Sequence, residues 1–263
     1  MEINICSIFR NNESYLSNFL LPTLRTLEKD FNFNYYFYEN DSKDNTRSLL
    51  KNFMKGKNGE FNYETKGNKF FQRGINTLFS RVSNISDCRN KLLNLRPYKG
   101  EWTIIIDSDI YFNKNIIKNF LNINKPKDLI ALGCNGKSEL KCNQHNKCNI
   151  YYDTLALIHK NGDLFHNYND QQKIQCCPFV DSIDRKKWFN GELVKVNSTF
   201  GGLSFFKTNI INKPELKYEL KQTIPFYKNN KSLYCEHWDF NEKLRKFGNI
   251  YITSQIIVKN IEK

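Results

Sequence analysis

Glu101-Trp-Thr-Ile-Ile-Ile-Asp-Ser-Asp-Ile110 is the stretch that decides the architecture of this chain. Thr103 to Ile106 are four consecutive β-branched residues, a pattern of an interior strand covered on both faces. The run ends in Asp107-Ser108-Asp109. Open α/β sheets bind ligands at the carboxyl edge of their strands, so these carboxylates stand where a ligand would arrive. Two acids two residues apart repel each other unless a cation or hydrogen bonds lie between them. A divalent metal that also holds a diphosphate is the simplest occupant. The plain alternative is one Asp capping a turn and the other facing solvent.

Upstream of this stretch, strands and helices alternate. Residues 3–9 form a strand pattern. A helix over 14–29 follows, with Leu16, Phe19, Leu20, Leu24 and Leu27 on one face, Ser14 as N-cap and Pro22 as a bend or restart. Residues 34–39 form a second strand, followed by a helix to about Phe53. Lys55 to Asn68 is a Gly- and Lys-rich connection. A long helix over about 75–95 leads into the Thr103–Ile106 strand. Downstream the pattern is less regular: strands near 128–133, 150–157 and 202–207, a helix over about 236–247 and a strand over 249–258. The order predicts a doubly wound α/β sheet in a single domain. About 1–110 would form a nucleotide half and about 111–263 an acceptor half.

The 263 residues carry 40 basic and 27 acidic side chains, a net charge of +13. Lys beside Asn accounts for much of this, as an AT-rich genome would encode. No basic stripe with interleaved aromatics and no nucleic-acid-binding signature is present, so no nucleic-acid partner is expected. Nothing approaches about 18 apolar residues in a row, so no transmembrane segment is expected, although the charge allows peripheral contact with an anionic membrane. The first residues enter a strand at once and lack a signal-peptide pattern, which predicts a chain that is cytoplasmic or cut from something larger. Eight cysteines then imply reduced thiols, with Cys6 and Cys88 as core residues. Cys134, Cys142, His145 and Cys148 resemble a zinc set, but the spacing is short and no second Cys-x₂-Cys arm exists; a loop with reduced thiols is the better reading.

Three further constellations lie near the strand ends. Arg10-Asn-Asn-Glu13 is either an ordinary helix entry or a turn that receives a base or phosphate. Glu39-Asn-Asp-Ser42, with Asp44 beyond it, is either a capping turn or a ribose and base contact. Asp41 or Ser42 suits the capping role, and Glu39 and Asp44 the ligand contacts. Arg89-Asn90 places a guanidinium where it answers the helix dipole or a phosphate.

Together with Asp107-Ser-Asp109, Tyr151-Tyr-Asp-Thr154, Gly201-Gly202 and Cys235-Glu-His237, these segments follow an order that resembles a GT-A glycosyltransferase. More narrowly, the chain is similar to the fungal capsule-associated α-1,3-mannosyltransferase family over about residues 3–258. That family usually has a longer, membrane-anchored chain, and its Ser-Glu-Cys appears here as Cys235-Glu-His237. The resemblance implies a GT-A fold, a Rossmann-like, doubly wound mixed sheet flanked by helices. It also implies a GDP- or UDP-sugar donor and a glycan or protein-glycan acceptor. Mn²⁺ or Mg²⁺ would sit at Asp107 and Asp109, the base near Arg10 and Glu39, and transfer would retain configuration.

Within this frame His237 is the candidate third metal ligand, and Glu236 or Asp239 the candidate base at the acceptor hydroxyl. Asp153 would orient the donor sugar or the acceptor. Ser108, Glu13, Asp41 and Arg89 join the donor contacts, and Gly201-Gly202 let backbone approach the sugar. Two other classes compete with this reading. A sugar-1-phosphate nucleotidyltransferase needs a Gly-rich loop after the first strand, where this chain has Phe9-Arg-Asn-Asn-Glu-Ser14. A non-catalytic carbohydrate-binding protein would show no nucleotide-sugar turnover.

Overall fold

Ile3, Ile5 and Phe9 face one core cluster while Cys6 faces another, so the first strand is buried on both sides. The next strand repeats the division, with Phe33, Tyr35 and Phe37 on one side and Tyr36 and Tyr38 on the other. In Trp102–Ile106, Ile105 faces away from Trp102, Ile104 and Ile106. This period-two split between two apolar layers makes a central sheet, and each fully buried large aliphatic side chain stabilises it by about 1.5–3 kcal/mol.

The computed structural model describes residues 1–67, 77–140, 148–165, 177–221, 224–226 and 231–260. The strands are β1 (Glu2–Phe9), β2 (Asn32–Asn40), β3 (Gly59–Glu64), β4 (Trp102–Ile106), β5 (Ile110–Phe112), β6 (Leu129–Leu140) and β7 (Cys148–Tyr151). They continue as β8 (Ile158–His159), β9 (Val194–Ser198), β10 (Leu203–Lys207), β11 (Ile224–Phe226), β12 (Lys231–Leu233) and β13 (Asn249–Asn260). One eleven-stranded sheet has the order β3-β2-β1-β4-β10-β6-β13-β9-β8, with β5 on β13 and β7 on β6; β11 and β12 form a separate hairpin. β3, β2, β1 and β4 are parallel, β10 runs against both β4 and β6, and β13 is parallel to β6. The carboxyl ends of β1, β2, β4 and β13 therefore share one edge of a single mixed sheet.

Two helix layers cover it. Helical segments Glu13–Tyr15, Leu16–Leu20 and Leu21–Leu27 follow one another, the middle one a π-turn, and they pack with Thr46–Met54 and Ile116–Asn122 on one face. Pro22 has no N–H to donate, and the helix restarts at Leu21 with Pro22 in its first turn. The cap predicted at Ser14 is not formed; the helix begins at Glu13, and Ser14 Oγ accepts from Asn18 Nδ2. Helices Thr77–Leu93 and Glu236–Leu244 cover the other face.

The connection predicted over Lys55–Asn68 contains a strand. β3 pairs along β2 from Tyr35↔Gly59 to Asn40↔Glu64, yet all its side chains stay exposed or half-exposed. Such an edge strand is held by backbone hydrogen bonds rather than burial, so its apolar signal is weak. β5 and β9 also lie outside the strands predicted from sequence. Among the described residues no helix is long and apolar enough to cross a membrane.

Candidate active site

A cleft of about 830 Å³ opens at the carboxyl edge of the sheet. Ile8 from β1, Asp107, Ser108 and Asp109 after β4, and Asn260 at the end of β13 line it. Helix Thr77–Leu93 contributes Arg81, Ile85 and Arg89, which share a face at i, i+4 and i+8 spacing, and Val82 beside them. Tyr152, Asp153, Leu155 and the segment Tyr234–His237 complete the wall.

The floor is an ionic chain. Arg89 donates from Nη2 to Asp107 Oδ1 at 2.9 Å and from Nε to Glu236 Oε1 at 3.2 Å. Its guanidinium lies 4.8 Å from the Phe200 ring centre and 5.6 Å from that of Tyr218. Only 4 % of Arg89 is exposed, so these contacts fix it rather than leaving it a solvated helix-end cation. His237 stacks on Phe200 at 4.3 Å and directs Nε2 to Glu236 Oε1 at 3.5 Å. Burial pushes the His237 imidazole down to about 3, so it is neutral near pH 7. Burial also opposes charge on Glu236, but His237 and Arg89 outweigh it and hold this carboxyl below its usual range. With His237 neutral, Arg89 is the cation that matters.

Two further carboxyl shifts run upward. Burial pushes Asp107 up to about 6; Arg89 works against the rise and Asp109 adds to it. Burial pushes Asp153 up to about 7, with repulsion from Asp107 and Glu236 exceeding the help of the Gly201 N–H. The site therefore lacks positive charge even with Arg89 in place.

The diglycine turn holds this arrangement. Gly201 N–H donates to Asp153 Oδ2 at 3.1 Å, and Asp107 N–H donates to Gly202 C=O at 2.9 Å. Both glycines have positive φ, +69° and +77°, and a Cβ on Gly202 would strike Ile110 and Tyr152. Their role is to position carboxylates; neither lines the cleft. Asn12 Nδ2 donates to Ser108 C=O at 2.8 Å and ties the turn after β1 to the turn after β4.

Several residues assigned to ligand from the sequence are placed elsewhere. Arg10, Glu13, Glu39, Asp41 and Asp44 do not line the cleft. Glu39 is fully buried, accepting from Ser42 N–H at 2.8 Å and pairing with Arg47. Glu13 accepts from Asn45 N–H and Nδ2, and Asp44 accepts from Glu13 N–H and Thr46 N–H, each within 3.0 Å. Asp41, at φ +52°, accepts from Lys66 and Gly67 N–H, and the Arg10 charge helps lower its pKa. These acids stitch two loops together. Asp239 Oδ2 takes Lys221 N–H at 2.7 Å and lies off the cleft. His237 is turned to Glu236, and among the described residues no three His, Cys, Asp or Glu converge as ligands. Cys142 and His145 lie outside the described residues, as does the Cys148 side chain. Cys134 is a free, fully buried core thiol, not a loop ligand. Arg81, Asn12, Tyr152 and Tyr234 are cleft residues that the sequence reading missed; the Arg81–Ile85–Arg89 spacing was the available signal.

Residues 2–243 match the family model described as Cryptococcal mannosyltransferase 1. The chain belongs to that family. Among curated protein sequences none matches significantly. Solved structures similar to this cryptococcal mannosyltransferase 1 family member include S. aureus TarS residues 1–349, with TM-score 0.53 and 14% identity. The match covers 98% of this chain and 60% of TarS 1–349. The mannosyltransferase PcManGT from Pyrobaculum calidifontis, in complex with GDP-Man and Mn²⁺, has TM-score 0.51 and 10% identity, covering 99% of this chain and 57% of PcManGT. The chain thus spans under two thirds of each. These likenesses show the fold, which is GT-A, and the expectation of a GT-A glycosyltransferase is met at the level of family and fold.

Proposed function

We propose that this domain transfers a sugar from a GDP- or UDP-linked donor to a glycan or protein-glycan acceptor with the help of a divalent cation. The observation that carries the reading is the Asp107–Asp109 pair on the wall of an 830 Å³ cleft, with Asp107 pushed up to about 6 despite Arg89. Family membership and the GDP-Man and Mn²⁺ held by PcManGT support it.

The residues present fit a hard cation. Both candidate ligands offer carboxylate oxygens, which favour Mn²⁺ or Mg²⁺ over softer metals. Asp109 suits direct coordination by its place on the cleft wall, while Asp107 also pairs with Arg89. Asp107 then suits ribose or a metal-bound water. When bound, the metal would neutralise charge that grows on the departing diphosphate.

The chain's own groups do the rest. Arg89, fixed between Asp107, Glu236 and Phe200, presents a pre-oriented cation to donor oxygens without reorganisation. Asp153 takes the proton of the acceptor hydroxyl: a pKa near 7 lets it accept and then release that proton near neutral pH. Glu236, stabilised as the anion by its neighbours, anchors Arg89 and faces the acceptor side. The decisive experiment is a panel of GDP- and UDP-sugars with and without Mn²⁺, scored for nucleotide release. Release that depends on one donor and on metal supports the reading; no release from any donor sinks it.

A further inference from the structure

The cleft changes character along helix Thr77–Leu93. At one end Arg89 is committed to Asp107 and Glu236. Eight residues earlier, about 12 Å back along the axis at 1.5 Å per residue, Arg81 lines the same cleft. Arg81 is exposed and has no ion pair or hydrogen bond among the described residues. Two residues before it in the helix stands Phe79, 49 % exposed, which meets Tyr234 edge-on with centroids 5.0 Å apart. Tyr234 itself lines the cleft, two residues before Glu236.

We propose that Arg81 and the Phe79–Tyr234 pair form an acceptor subsite for a sugar that carries an anionic group. A pyranose has an apolar C–H face, and the exposed Phe79 ring with the half-buried Tyr234 beside it offers a surface whose burial is favourable. The guanidinium fork matches a carboxylate or phosphate in bidentate fashion. Elsewhere the lining is dominated by Asp107, Asp109, Asp153 and Glu236, which repel an anionic sugar. The rim around Arg81 is where such a sugar is tolerated. The acceptor assignment rests on the sugar-transfer reading above. Tyr234 and Cys235 lead straight into Glu236, beside Asp153, where the acceptor hydroxyl must arrive, whereas the donor diphosphate belongs at Asp109.

The test compares methyl β-glucuronide with methyl β-glucoside, which differ only in a carboxylate for a hydroxymethyl group, and adds glucose 6-phosphate as a phosphate-bearing probe. Binding to the whole chain is measured by saturation-transfer NMR and calorimetry. At least one anionic sugar should bind roughly ten-fold more tightly than the glucoside, as a charge-assisted bidentate contact gives. Arg81→Gln should erase that preference, Arg81→Lys should restore part of it, and Phe79→Ala should weaken charged and neutral sugars alike. Equal affinity for all three sugars, no binding of any, or a preference that survives Arg81→Gln overturns the subsite. Donor turnover is scored separately: turnover without an Arg81-dependent preference sinks this inference alone. An Arg81-dependent preference without turnover of any donor sinks the transfer reading and leaves an anionic-sugar site.

Discussion

At the end of β2, Glu39, Asp41 and Asp44 give their oxygens to backbone N–H groups and to Arg47, whereas at the end of β4 Asp107 and Asp109 stand on the wall of an open cleft. The two strand ends sit at the same edge of the sheet and are both rich in Asp. Their electrostatics differ in sign. Burial works against charge on Asp41 and Asp44, but N–H and side-chain donors outweigh it and both pKa values fall. On Asp107 and Asp153 burial wins, and both rise. A carboxylate saturated with donors is already part of the scaffold; one left short of them is the candidate for a ligand.

Substitutions at the two ends should therefore fail in different ways. The largest effect is expected for Asp109→Ala. Metal-dependent nucleotide release should fall by at least about 100-fold, or roughly 2.7 kcal/mol of barrier, while the melting temperature moves little. Activity within ten-fold of wild type would erase the distinction between the strand ends. Asp153→Asn should cut turnover on the order of 100-fold, and the wild-type rate should climb as pH rises through about 7.

The same carboxyl makes a stability prediction of definite sign. Its pKa is higher in the folded chain than the ordinary 3.8, so the folded state favours the protonated form. Stability from this group is complete below about 3.8 and is lost as pH rises through about 7. Asp153→Asn should accordingly melt above wild type at pH 8 and close to it at pH 4; the reverse order would contradict the buried, repelled carboxylate.

At the other end, Glu39→Ala should destabilise the fold by about 3 kcal/mol in urea titration, because it leaves Arg47 without its buried partner. Turnover per folded molecule should stay within about two-fold, a margin of roughly 0.4 kcal/mol. Loss of activity without loss of stability would return Glu39 to the donor site. The smallest effect is expected for Asp44→Ala, about 1 kcal/mol for the lost hydrogen bonds from Glu13 and Thr46 N–H. Since the folded-state pKa of Asp44 is lowered, its contribution is present above about 3.8 and fades as pH falls through the folded value. Wild type and variant should converge in acid.

The strand ending in Asp107 was legible because Thr103–Ile106 must be interior, and the alternating elements before it fixed the parallel half of the sheet. β3 was not, because Gly59–Glu64 buries little. The residue types at both strand ends were plain in the sequence, but their destinations were not. Whether Glu39 meets a ligand or Arg47 depends on how a helix and a turn settle against it. Asp239 likewise looked like an acid at a helix start, and only the path of Lys221 shows it occupied. Arg89 gave the right site but not its partner Glu236, 147 residues away in sequence.

Gly201 and Gly202 are neighbours, yet one holds the side chain of Asp153 and the other the backbone of Asp107. This two-residue turn thus acts as a ruler between the two ends of the cleft. On the proposed reading, a shift of that turn would carry Asp153 and Asp107 together and so keep the interval between the donor and acceptor positions. Changes at the turn would appear as altered spacing, felt by both substrates at once, rather than as the loss of either group.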